Sequence, residues 1–383
     1  MASIYSEMAH NTVKEKQKLG VIHPCSSAPP LQDEDIDSSK IIVSQMGMEP
    51  FLRVLQASDP DIIVAGRSYD PAPFAAWCVY NGVNISPAWH VGKIMECGGL
   101  CAVPKGSAMM AIMDRDSFDL VPLNPIEHCT PLSVAAHTLY EKTRPDQLPG
   151  PGGVLHLSKA KYEQLQDGRT TRVSGSVFVP SETYQIKLEG VKLLGYRTVF
   201  IGGIRDPILI AGLDKFLKTV RKKTETAFPE LVHEPNIKLG FHIYGRDAVM
   251  GPLEPTPTPA HEVGILGEVL APTQEAASGI AGFARTMCLH CSYENQVATA
   301  GNFASPLTPL EQQAGEVYRF SIYHLMDITH EAASNMFESK LSTVGRTSDH
   351  LNGNGVNGNG VPQPKLLSGQ PAPIGSTSDP LIC

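Results

Sequence analysis

The stretch Asp61 to Pro104, DIIVAGRSYDPAPFAAWCVYNGVNISPAWHVGKIMECGGLCAVP, decides the reading of the fold. Ile62 to Ala65 is a short, mostly β-branched apolar run, the pattern of a strand buried on both faces, and it stops at Gly66-Arg67-Ser68. Apolar residues resume from Phe74 to Tyr80 with the density of a short buried helix. Strand, turn and helix in that order predict an α/β unit. Ligands of open α/β sheets sit beyond the carboxyl ends of the strands, so Arg67, Ser68 and Asp70 become candidate substrate-binding residues. A second turn, Met95-Glu96-Cys97-Gly98-Gly99, offers a carboxylate, a thiol and backbone amides together. Glu96 and Cys97 are therefore candidate catalytic residues. The bland alternative stays open: Arg67 and Asp70 pair with each other and cap the helix.

Working outward, Ile41 to Val43 reads as another strand, Phe51, Val54 and Leu55 recur at helical spacing, and Asp59-Pro60 ends that helix. The resulting β-α-β order predicts a parallel pair. Further on, Thr198 to Ile201 runs into Gly202-Gly203-Ile204-Arg205-Asp206-Pro207, and Lys238 to Tyr244 runs into Gly245-Arg246-Asp247. These turns repeat the first in looser form. They add Arg205, Asp206 and Arg246 as candidate carboxylate binders and His242 as a candidate proton carrier. The glycine spacing is neither a dinucleotide fingerprint nor a P-loop, so no nucleotide is assigned. Arg172 to Val179, Tyr184 to Leu188, Glu262 to Leu270 and Val317 to Leu325 also read as strands, and Thr273 to Met287 as a helix with a threonine cap. The expected fold class is α/β, a layered, mostly parallel sheet with flanking helices, then a strand-rich α/β portion and a disordered tail.

Composition bounds the function. With 42% hydrophobic and 18% charged residues and a net charge of -8, the chain has an ordinary globular balance and no nucleic-acid surface. Lys218 to Lys223 is a short basic run spread over a solvated face. Eight cysteines without a framework indicate free thiols and a reducing compartment. No apolar run spans a bilayer and Met1 to Gly20 is charged, which together predict a soluble cytoplasmic protein that does not engage a membrane. Cys288-Leu-His290-Cys291 lacks a matching second ligand pair, and neighbouring His128 and Cys129 do not supply one, so no metal is expected. His137 in SVAAHTLY reads as near-core, and Leu148 to Gly153, LPGPGG, as a boundary or a loop over the site.

Taken together, IIVSQMGMEP from Ile41, AGRSYDP from Ala65, MECGG from Met95, SVAAHTLYEK from Ser133, LPGPGG from Leu148 and KLEG from Lys187 resemble the acyclic terpene utilisation (AtuA-like) family. GYRTVFIGGIRDP from Gly195, HIYGRDAVMGPLEP from His242, HEVGILGEVLAPTQE from His261 and ATAGNF from Ala298 continue the likeness in the same order. The branch it resembles carries an appended small ferredoxin-like domain. Against that pattern the chain divides into an N-terminal helix and linker (1–40), two α/β portions (41–150 and 151–315), a remnant of the appended domain (316–345) and a low-complexity tail (346–383). Family members carry several more βα units ahead of the position of Ile41, so the sheet is expected to be shortened.

The resemblance implies terpenoid or carboxylic-acid metabolism without a settled mechanism. Joined to the turns, it predicts a cofactor-independent lyase, hydratase or isomerase acting on a small branched carboxylic acid or its acyl thioester. Catabolic and secondary-metabolite pathways both accommodate it, and homo-oligomerisation or a pathway partner stays open. The rival expectation is a non-catalytic accessory or scaffold subunit. If Arg67, Glu96, Arg205 and Arg246 meet in one pocket the enzyme gains; if they form separate surface ion pairs the scaffold does.

Overall fold

A computed structural model describes residues 1–142, 144–256, 258–297, 302–343 and 381–382. Two compact units emerge: Met1–Gly190 with Ser321–Cys383, and Val191–Phe320. The division thus falls inside the Tyr184–Ile204 strand, well beyond the break expected near Gly150. The strand Glu311–Ile328 likewise crosses back into the first unit instead of opening an appended domain. The tail expected over 346–383 lies outside the described residues, except that Leu381–Ile382 pairs with Met109–Met113.

The chain is mixed α/β, but its sheets are mostly antiparallel, which corrects the expected parallel layer. Connection length explains much of this. Met109–Met113 and Ser117–Pro122 are joined by residues 114–116, far too few for the crossover that a parallel pair requires. In the second unit, Lys238–Tyr244 and Tyr184–Ile204 flank Val263–Ala271, both antiparallel to it. Thr198 to Ile201 is interior to that sheet as expected. Its helices Leu213–Ala227 and Gln274–His290 pack on a core containing Phe200, Phe216, Val220, Ile265 and Ile280. Thr273 caps the second helix by accepting from the Ala276 amide.

In the first unit, parallel pairing survives between Ala2–Ile4 and Ile63–Ala65. A parallel bridge between Met46 and Ser68 joins the end of Ile41–Gln45 to the end of this strand. Ile41–Gln45 itself pairs with Tyr184–Ile204, so the β-α-β unit meets only at its carboxyl ends. Ile63–Ala65 is an edge strand, with Ile62 and Val64 more than half exposed, and is not buried on both faces as expected. A three-residue apolar run is too short for periodicity to separate these two environments. The N-terminal residues, read as helix and linker, hold the central strand of this sheet, where Ala2 and Ile4 are buried. Among the described residues, no helix is long and apolar enough to cross a membrane.

The LPGPGG stretch is a hairpin turn between Gln147–Gly150 and Gly153–His156. Gly152 has φ +74°, which favours glycine. A Cβ on Gly47 would collide with the Tyr184 hydroxyl and the Glu49 carboxylate, and would stand 3.1 Å from Pro151 Cβ. Tyr184 is buried and donates to Glu49 at 2.6 Å. Gly47→Ala is therefore expected to cost about 1–3 kcal/mol by overpacking, read as a fall in the denaturant midpoint at unchanged slope.

Candidate functional site

The carboxyl end of Ile63–Ala65 feeds directly into Arg67-Ser68-Tyr69-Asp70. Arg67 Nε donates to Glu189 Oε2 at 2.8 Å, and Arg67 lies 3.4 Å from Asp70. Lys187, two residues before Glu189 and so on the same face of its strand, pairs with Glu189 at 3.2 Å. Its ammonium lies 4.9 Å from the centre of the Tyr323 ring. Ser68 takes the other side, lining an apolar cleft of about 300 Å³ with Phe51, Leu55, Ile63 and Trp77.

The helix Ile85–Met95 brings the second turn to the first. Gly92 makes this possible, because a Cβ there would sit 2.5 Å from the Pro71 carbonyl oxygen. Lys93 and Glu96, three apart on that helix face and its C-cap, form a buried ion pair. Burial holds the Glu96 carboxyl above the usual carboxylate range, while Lys93 pulls it back and Asp70 pushes it further up. Cys97, next in the chain, is half-buried.

Tyr69 closes the site. Burial pushes its hydroxyl up to about 12, with Glu96 acting in the same direction. The Lys142 ammonium donates to that hydroxyl at 3.1 Å and lies 5.2 Å from the ring centre. Gly150 of the hairpin turn admits the other edge of the ring, since a Cβ there would come within 2.9 Å of it. Tyr69 then packs on Trp89 at 5.8 Å, and Trp89 stacks on Phe178. The Trp89 indole N–H is buried without a hydrogen-bond partner among the described residues.

Lys142 follows Pro131–Thr138, a helix capped by Thr130, whose His137 is buried and faces the Ile94 carbonyl at 3.2 Å. Glu141, immediately before the lysine, has φ +61°. A non-glycine residue in that region costs of order 1 kcal/mol and persists where surrounding structure imposes it. Burial lowers Lys142; Glu96 opposes that shift and Lys187 assists it.

Arg67, Asp70 and Glu96 of the sequence reading are thus in one electrostatic neighbourhood, with Tyr69, Lys93, Lys142, Lys187 and Glu189, which it missed. Tyr69, Lys142, Lys187 and Glu189 stood inside AGRSYDP, SVAAHTLYEK and KLEG, Lys93 stood two residues before MECGG, and Lys187-x-Glu189 carried the two-residue spacing of a strand face.

The remaining candidates belong to the second unit. Arg246 pairs with Asp214 at 2.9 Å and with Asp247 at 3.4 Å. His242 meets Glu268 at 3.1 Å, and Glu268 also holds Arg197. Asp206 accepts from the Ile208 amide and from the Tyr293 hydroxyl, and the Tyr293 bond holds it below the usual range. Arg205 is exposed. The glycines of this turn serve packing: the Phe303 ring occupies the space a Gly202 Cβ would need, and Gly203 exchanges two 2.9 Å backbone bonds with Ala304. A cleft of about 730 Å³ lies beside Pro207, Phe216 and Tyr293, where its charged residues Lys215 and Glu294 form an exposed pair. Larger volume does not make it the better site, because the buried titratable groups converge in the first unit.

Cys288 and Cys291 are buried, and no group of three or more His, Cys, Asp or Glu suited to a metal ion occurs among the described residues. Comparison with family models, curated proteins and solved structures yields no match.

Proposed function

We propose that the chain is an acid–base enzyme of the lyase, hydratase or isomerase type, acting on a small carboxylic acid or its acyl thioester at the Arg67–Tyr69–Glu96 cluster. The observation that carries this reading is the convergence of a buried, upward-shifted carboxyl, Glu96, with the cations Lys93, Lys142 and Lys187 around Tyr69, beside Arg67 on Glu189 and Asp70. A carboxyl raised above its ordinary value by burial suits proton transfer at carbon, and guanidinium and ammonium groups suit a carboxylate substrate. Arg67 and Lys187 orient the substrate carboxylate in exchange for part of their bonding to Glu189. Glu96 takes the proton beside the carbonyl, and Tyr69 donates to the oxygen on which charge develops.

The motif resemblance to the acyclic terpene utilisation family supports the same substrate class, and membership of that family is part of the proposal. Homo-oligomerisation and a cytoplasmic location fit it. The rival reading, a non-catalytic accessory subunit, is favoured by one observation: Arg67 and Arg246 are both held in ion pairs with carboxylates of the chain itself.

Deuterium exchange separates the two. Incubation of the protein in D₂O with a panel of short branched carboxylic acids and their thioesters, followed by NMR, is expected to show loss of the α-proton signal. Glu96→Gln is expected to slow that exchange by about 10²–10⁴-fold while retaining the fold. Exchange that proceeds unchanged in the variant, or is absent throughout the panel, overturns the reading.

A further inference from the structure

We propose that Lys142 is the nucleophilic amine of a carbonyl-binding site, forming a Schiff base with a small oxo-carboxylic acid. This rests on the proposed acid–base reading and names the substrate class: a carboxylate with a ketone at the 2- or 3-position.

Three lysines lie in the cluster, and their surroundings differ. Lys93 is buried against Glu96, and Lys187 is paired with Glu189. Among the described residues Lys142 makes no ion pair; its polar partner is the Tyr69 hydroxyl. An amine needs a neutral fraction to attack a carbonyl, and burial and a second cation favour the neutral form. Burial, the largest effect, and Lys187 act on Lys142 in that direction and outweigh Glu96, Glu141 and Asp70, which oppose it. Glu141, at φ +61°, is the third residue of a turn that the Lys142 amide closes on the Leu139 carbonyl at 3.0 Å, which sets the backbone position of the lysine.

Tyr69 is placed for the proton traffic. Its hydroxyl stays protonated, so it accepts from the ammonium and has its own hydrogen to give. The neutral amine adds its lone pair to the carbonyl carbon, and the nitrogen proton passes by way of the hydroxyl to the former carbonyl oxygen. The resulting carbinolamine loses that oxygen as water, with a proton drawn from solvent and passed through the Tyr69 hydroxyl, which ends the step protonated, leaving C=N⁺. The iminium then accepts the electron pair of the adjacent C–H or C–C bond. The proton goes to Glu96, or, from a 3-oxo acid, the carboxylate departs as carbon dioxide, leaving an enamine. Reprotonation at carbon and hydrolysis by water release product and restore the amine. No oxidant or metal enters the balance.

The test is reductive trapping of the full-length protein. Pyruvate and acetoacetate, each with sodium cyanoborohydride, are expected to give one dominant adduct whose tryptic peptide maps to Lys142. Tyr69→Phe is expected to slow trapping by at least about tenfold, and Lys142→Arg to abolish it. Mapping on the wild-type chain needs no variant, so a poorly folded Lys142→Arg does not blunt the result. No adduct, an adduct spread over surface lysines, or one on Lys93 or Lys187 overturns the proposal. If trapping fails while Glu96-dependent exchange persists, the Schiff base falls and the acid–base reading stands. An adduct on Lys142 without any exchange keeps the amine site and removes that reading.

Discussion

Lys93→Met is expected to destabilise the protein by about 3–5 kcal/mol near pH 8, the range found when one partner of a buried ion pair is removed. Methionine keeps most of the aliphatic stem, so the packing of the Ile85–Met95 helix changes little. What changes is the charge balance around Glu96, left nearly inaccessible with Asp70 still nearby. The loss should shrink as pH falls. In the variant Glu96 titrates above its unfolded value, so the folded chain takes up a proton that the unfolded chain binds less tightly. Such a group contributes stability below the unfolded pKa and loses it as pH rises through the folded one. Urea titrations at pH 5.5 and pH 8 measure this directly. A Lys93→Met/Glu96→Leu double variant should recover most of the stability, because two well-packed apolar side chains are often no worse than a buried pair. Equal destabilisation at both pH values, or no recovery in the double variant, would show that Lys93 matters by packing.

The same buried pair shows what a sequence can and cannot reveal. The turns at Arg67 and Glu96 were legible as polar interruptions of apolar runs, and the structure puts both in one cluster. Nothing local, however, tells that Gly92 lets a helix close on Pro71, the contact that joins them. Lys142 lies a further 46 residues beyond Glu96, and its importance comes from burial and from Tyr69, neither of which has a one-dimensional signature. The three glycine-arginine turns look alike in sequence, yet two belong to another unit. Around Gly202 the glycines answer to an aromatic ring instead of a ligand.

The fold was misread for a related reason. Short β-branched runs carry apolarity but not direction, and Ile63–Ala65 is an edge strand while Thr198 to Ile201 is interior. Two runs read as separate strands, at Tyr184 and Thr198, are parts of one strand that continues through Gly195 at φ +146°. By contrast, caps were local and therefore readable, as with Thr273.

Acid should unfold the protein early, and His90 should account for a large part of it. His90 is fully buried, with Phe118 and Tyr162 edge-on to its ring and Thr138 Oγ1 3.2 Å from Nε2. Its other nitrogen, Nδ1, has no partner among the described residues. Burial lowers the imidazole to about 3, against 6.5 for the free side chain. A depressed folded pKa means that the unfolded chain binds the proton first, so stability is complete above pH 6.5 and falls as pH drops toward 3. At 1.36 kcal/mol per unit the loss is about 2 kcal/mol by pH 5 and approaches about 5 kcal/mol near pH 3. Burial lowers His137 and His324 as well, adding loss of the same sign, whereas the raised carboxyls of Glu49 and Glu96 oppose it. The informative quantity is consequently the difference between wild type and His90→Gln. Glutamine retains a polar partner for Thr138 without titrating, at some cost in packing that is independent of pH. Between pH 7 and pH 5 the variant should lose about 2 kcal/mol less than wild type, measured by chemical denaturation. Parallel loss in the two proteins would mean that His90 is protonated in the folded state, and that the space around Nδ1 admits an acceptor or water.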